Sequence, residues 1–166
     1  MYMYWRRALI VFASCTVFSA HATSGQTTSE RISVRVVAEV QTRLLEHGRQ
    51  VTKLLPADKV VPGDLVIYTL EARNAGPMSI DAPMVVQPVP AHTMYVAESA
   101  TGPGAFITFS VDNGNSFDTP ENLKVAAPDG KLRVAVAADY THIRWQLRSL
   151  VKANSVAFLR FRARVK

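Results

Sequence analysis

Cysteine occurs once in the 166 residues, at Cys15. A chain with one cysteine cannot hold a disulfide framework, and it has no thiol cluster for zinc. Histidine is equally sparse, at His21, His47, His92 and His142, and no two of these stand at a short metal-ligand spacing. No serine sits in a G-x-S-x-G elbow, and no pair of carboxylates recurs on one strand face, so no catalytic constellation is readable. The longest apolar run falls short of a bilayer span. Proline is absent before Pro56 and after Pro128, and the nine between them argue against long helices there. With 48% hydrophobic residues and 19% charged, the composition also excludes disorder, collagen and a coiled coil.

The first 22 residues have the three parts of a secretory signal peptide. Arg6 and Arg7 close a charged segment, Ala8 to Ala20 form an apolar stretch, and Ala20-His21-Ala22 offers the small-x-small cleavage site. Cleavage is expected after Ala22, with export to the periplasm or beyond. The alternative is a lipoprotein box ending at Cys15, for which Phe12 is a poor fit. Losing Arg6 and Arg7 leaves 17 basic and 13 acidic side chains, a balance that does not by itself suggest nucleic acid. Residues 23–30 read as a polar, flexible leader, and residues 31–166 as one domain.

Within that domain the hydrophobic period is two. Ile32, Val34, Val36, Ala38 and Val40 form one expected inward face; Val66, Tyr68, Leu70 and Ala72 form a second. Ile143, Trp145 and Leu147 form a third, and Ala157, Leu159, Phe161, Ala163 and Val165 a fourth. Thr93–Ala97 and Phe106–Val111 read as shorter strands. Asn113-Gly114 and Asp129-Gly130 predict hairpins with type I′ turns, while Arg43 to His47 allow one helical turn. About eight short strands with proline and glycine punctuation predict an all-β, immunoglobulin-like antiparallel β-sandwich.

Val61-Pro62-Gly63-Asp64, Tyr68-Thr69-Leu70 and Asn74-Ala75-Gly76 follow one another in a recognisable order. Pro88-Val89-Pro90, Tyr95-Val96, Ser99-Ala100, Phe109 to Gly114 and Tyr140 to Trp145 continue it. The pattern resembles the bacterial conserved-repeat family, domain-of-unknown-function family eleven, over Val36 to Val165. The resemblance implies an immunoglobulin-like sandwich in secreted or envelope proteins, often in tandem, without an established catalytic set. This chain departs from it in carrying a single copy, and in Leu150 to Ser155 where the family has a Pro-Gly turn.

Two surfaces are candidates for binding. Asp112, Asn115 and Asp118 lie in an oxygen-rich loop that suits calcium, although Gly114 and Phe117 break the EF-hand template; turn propensity explains the same residues. Arg160, Arg162 and Arg164 recur at period two and, with Lys166, form a basic ridge about 7 Å per step. Such a row suits an anionic polysaccharide or lipid, or it is a solvated face paired with Glu39 or Glu71. Lys53 or Lys59 with Asn74 has the residue types of an isopeptide bond, but nothing in the pattern selects them. The reading is an exported, non-catalytic structural or interaction module of the cell envelope. It takes no cofactor or nucleic acid, is not integral to the membrane, and meets another envelope protein. An exposed sheet edge or the Arg160–Lys166 face is its expected contact surface.

Overall fold

The computed structural model describes residues 32–166. The expected signal peptide, its cleavage site, Cys15 and the leader lie outside the described residues. Ten strands run in order, all paired antiparallel: β1 (Ile32–Glu46), β2 (Arg49–Pro56), β3 (Leu65–Asn74), β4 (Met84–Pro88), β5 (Thr93–Tyr95), β6 (Ala105–Ser110), β7 (Lys124–Ala126), β8 (Leu132–Val134), β9 (His142–Leu147) and β10 (Val156–Val165). A five-stranded sheet, β2-β1-β3-β10-β5, packs on a three-stranded sheet, β4-β9-β6, and β7-β8 form a small separate ribbon. The arrangement is an antiparallel β-sandwich. Its last strand, β10, lies beside β3 in the sheet of the first strand. In the common immunoglobulin order the last strand joins the opposite sheet.

The core follows the alternation. Val66, Leu70 and Ala72 of β3, Ile143, Trp145 and Leu147 of β9, and Leu159, Phe161 and Ala163 of β10 are buried. Tyr68 is half-buried and stacks on Phe161 with ring centroids 4.8 Å apart. Trp145 is fully buried, 6.2 Å from Phe161 across the sheets, and its indole Nε1–H donates to the Thr101 carbonyl at 3.2 Å. A buried indole N–H needs such a partner. Thr101 is itself fixed by reciprocal main-chain hydrogen bonds with Arg160. Gly102 follows, and a Cβ there would lie 2.7 Å from Leu159 Cδ2 and 3.2 Å from Trp145 Cδ1.

Four expectations change. Val34 and Val36 keep the phase of the inward face, opposite Ala72 and Leu70, but stay 43% and 41% exposed because the smaller sheet does not reach them. The helical turn over Arg43–His47 is instead the end of β1, which pairs with β2 from Glu46↔Arg49 to Glu39↔Pro56. His47 and Gly48, at φ 50 and 76, make the two-residue turn, so cross-strand pairing overrides the helix propensity of Leu44-Leu45-Glu46. Asp129-Gly130 does close the β7–β8 hairpin, but only Gly130 has positive φ. Gly130 N–H donates to Ala127 C=O, and Ala127 N–H to Lys131 C=O, around Pro128. That is a type I turn with a glycine bulge, which proline at its second position favours. Asn113-Gly114 does have positive φ at both residues, yet it turns within a longer loop that closes on a Phe109↔Asp118 bridge.

Two predictions follow from this core. Trp145→Ala is expected to cost about 3–5 kcal/mol in denaturant unfolding followed by circular dichroism; a loss below about 1 kcal/mol would mean the indole is not a core element. Gly102→Ala, in contact with a fully buried leucine that cannot swing away, is expected to cost about 1–3 kcal/mol.

Candidate interaction surface

Gly63, Asp64 and Asn74 have mechanical roles. Gly63, at φ 96, turns the chain before β3; its N–H donates to Val165 C=O, and Val165 N–H donates to Asp64 C=O. The Asp64 carboxylate accepts the Val61 N–H at 2.9 Å. Asn74 is fully buried. Its amide donates to the carbonyls of Met78, Val151 and Lys152 at 2.8–3.2 Å, and its Oδ1 accepts the Gly76 N–H. This amide therefore ties two loops together, and no lysine side chain is among its partners.

The 112–118 loop is held by its own donors. Asp112 Oδ1 accepts from Ser110 Oγ at 2.7 Å and Ser116 N–H at 3.0 Å, while Oδ2 accepts from Ser116 Oγ at 2.6 Å. These bonds, the Ser116 hydroxyl first, lower the Asp112 pKa to about 2. Asn115 donates its amide to the Asp112 carbonyl. Asp118 accepts from Thr119 N–H and Asn122 Nδ2, so its carboxylate serves the next turn. Among the described residues no three His, Cys, Asp or Glu side chains gather as a metal group. His142 is half-buried beneath Gly114, with Nδ1 against Thr141 Oγ1. Ser99 is buried, donating to the Val96 and Arg162 carbonyls and accepting the Arg162 N–H.

The basic ridge lies on the outer face of the larger sheet. Arg160, Arg162, Arg164 and Lys166 are exposed, with Phe158, 57% exposed, continuing the row. Arg160 Nε donates to Thr69 Oγ1 at 3.2 Å, and Arg164 donates to the Gly63 carbonyl at 2.8 Å. The expected cross-strand pairing with Glu71 takes another form. Glu71 stands opposite Phe158 on β10 and meets Arg35 of β1 at 3.5 Å. Among the described residues, none of the four ion pairs includes Arg160, Arg162, Arg164 or Lys166.

Sequence reasoning missed the other face of the same sheet. β1 and the hairpin it forms with β2 extend past the smaller sheet, so Val34 and Val36 of β1, before the hairpin, and Leu55 of β2 (38% exposed) are apolar and uncovered on the inner side. β2 is the edge strand beside Glu39–Glu46, while β1 itself is the edge over Ile32–Ala38, and the outer main-chain groups of that edge pair with no described strand. The polar end of the hairpin carries an ion pair between Lys53 and Glu46. No described helix is long and apolar enough to cross a membrane. No family model, no curated protein and no solved structure matches the chain.

The Asp112 network sets a pH dependence. Its carboxyl pKa is depressed, so it stabilises the loop above the unfolded value of about 3.9, and that contribution is lost as pH falls through about 2. A carboxyl-carbon NMR titration is expected to place the Asp112 midpoint near about 2, and Ser116→Ala to move it back toward the ordinary value. An unshifted midpoint in the wild type would show that the network does not hold.

Proposed function

We propose that this protein is an exported, non-catalytic interaction module of the bacterial cell envelope. Its partner is another envelope protein, which adds an extended segment along the free edge formed by β2 and the first half of β1 and covers the inner side of β1. The uncovered apolar strip beside a free edge carries this reading. Unpaired strand edges recruit partner strands through main-chain hydrogen bonds, and alternate side chains then fill the adjoining face. The secretory character of residues 1–22 supports export. The resemblance to the conserved-repeat family supports an envelope setting, and its motif residues at Gly63, Asp64 and Asn74 act as scaffold.

A second reading rests on the outer face. The guanidinium groups of Arg160, Arg162 and Arg164 meet no described carboxylate within ion-pair distance, which suits an anionic polysaccharide or lipid. Neither reading draws on Asp112 and Asn115, which bond within their own loop, or on Asp118, which accepts from Thr119 and Asn122.

The two faces are tested separately by cross-linking in the native host. Val36→Glu is expected to abolish capture of the partner while leaving the melting temperature nearly unchanged, because the site is 41% exposed. Capture should also persist at high salt. Capture that survives Val36→Glu but disappears with Arg160→Glu or with added salt would replace strand addition by the polymer reading.

A further inference from the structure

A cleft of about 440 Å³ opens between the edge strands β5 and β6. Tyr95 of β5, Ile107 and Phe109 of β6 and Tyr140 line it, and Glu98 and Glu121 stand in its wall. The three rings form one cluster: Phe109 stacks on Tyr140 at 4.5 Å, and Tyr95 meets them at 5.2 and 5.8 Å.

The polar groups of this cleft all have one character. Glu98 and Glu121 belong to none of the four ion pairs among the described residues, and no basic side chain lines the cleft. Glu98 also borders a neighbouring depression lined by Arg160 and Arg162, so Glu121 is the acid farther from the basic ridge. A hydrogen bond from the Thr119 side chain, and a weaker one from its own backbone, hold the Glu121 carboxyl below its usual range, so it is charged at neutral pH. Tyr140 is 9% exposed, and its hydroxyl makes no hydrogen bond among the described residues. Burial raises its pKa, with Tyr95, Glu121 and Asp139 adding to the rise, so the phenol remains neutral and able to donate or accept. Tyr95 differs, since its hydroxyl accepts the Ala100 N–H at 3.0 Å.

The main chain at Glu98 is committed to this placement. Glu98 has φ 58 in a turn whose Ser99 N–H donates to Val96 C=O, a position that usually takes glycine or asparagine. Ser99 Oγ fixes the turn by bonding to Val96 and Arg162. A carboxylate is thus presented at the cleft by a backbone conformation that glycine would adopt at lower cost.

We propose that this cleft binds a small organic cation with an apolar body, of the arylalkylammonium class. The apolar part lies against Ile107, Ala97 and Ala100 and the small parts of Tyr95 and Phe109 (2% and 7% exposed) that reach the cleft. The ammonium lies toward Glu98 and Glu121, and the free Tyr140 hydroxyl supplies one hydrogen bond. The site is separate from the β2 edge.

The test uses phenethylammonium chloride as probe and phenethyl alcohol as its neutral counterpart. Binding to the exported chain is followed by ligand-observed NMR and calorimetry. The ammonium is expected to bind at least about tenfold more tightly than the alcohol, a difference of about 1.4 kcal/mol. Glu121→Gln and Glu98→Gln should each remove most of that preference. Tyr140→Phe should weaken both probes only slightly, and Val36→Glu should change nothing. Equal affinity for ammonium and alcohol would overturn the cation assignment. Absence of binding by both at millimolar concentration, with the wild-type melting curve intact, would overturn the site. A preference unaffected by either glutamine variant would place the cation elsewhere.

Discussion

The indole of Trp145 is the point on which the two sheets depend. It sits in the middle strand of the smaller sheet and faces Phe161, on a strand inside the larger one. A ring of that size is buried only if both sheets are present, and its N–H must then find an acceptor inside the protein. The acceptor is the Thr101 carbonyl, so the connection from β5 to β6 has to cross at that place. Reciprocal bonds between Thr101 and Arg160 hold it there, and Gly102 gives the clearance. The path of an apparently irregular segment is therefore set by one side chain's two requirements, apolar cover and one hydrogen bond.

Around that centre, the turns are fastened by polar side chains. Asn74 spends its amide on three carbonyls, Asp64 on the turn that precedes β3, and Asp112 on two serines. These are the residues that stand out in the sequence, as Pro-Gly-Asp, Asn-x-Gly and an oxygen-rich loop. A pattern made of such residues transmits a fold, because each solves a backbone problem. It does not transmit a chemistry.

The sequence made the strands with clean alternation legible, and for a physical reason. In β3, β9 and β10 most inward residues are buried in one core shared by both sheets, so pattern and burial largely coincide. In β1 the alternation is equally clean, yet Val34 and Val36 are exposed. Period two reports which side a residue faces, not whether another layer lies over it. β2 was not legible, since Arg-Gln-Val-Thr-Lys-Leu-Leu-Pro breaks alternation with adjacent leucines and basic residues. The aromatic cleft left no signal either. Tyr95, Glu98, Phe109, Glu121 and Tyr140 are spread over 46 positions, and only the closure of β5 against β6 unites them.

Both open surfaces come from one mismatch. β6 faces β5 through Phe109 and Tyr95, and β9 faces β10 through Trp145 and Phe161, which leaves β4 for β3 and nothing for β1 and β2. Completing the burial of Val34, Val36 and Leu55 gives on the order of 1 kcal/mol each, since each is already more than half covered. Association costs at least about 4 kcal/mol in lost freedom, so the strip alone does not hold a partner. The row of main-chain groups along β2 has to contribute, which favours an added strand over a flat apolar contact. Lys53 faces the same side as Leu55, two residues on, and pairs with Glu46. An inward-facing lysine on an edge strand discourages indiscriminate pairing. A partner strand that fits must leave that ion pair in water or place an acid beside it, and this selects one kind of sequence from among all extended chains.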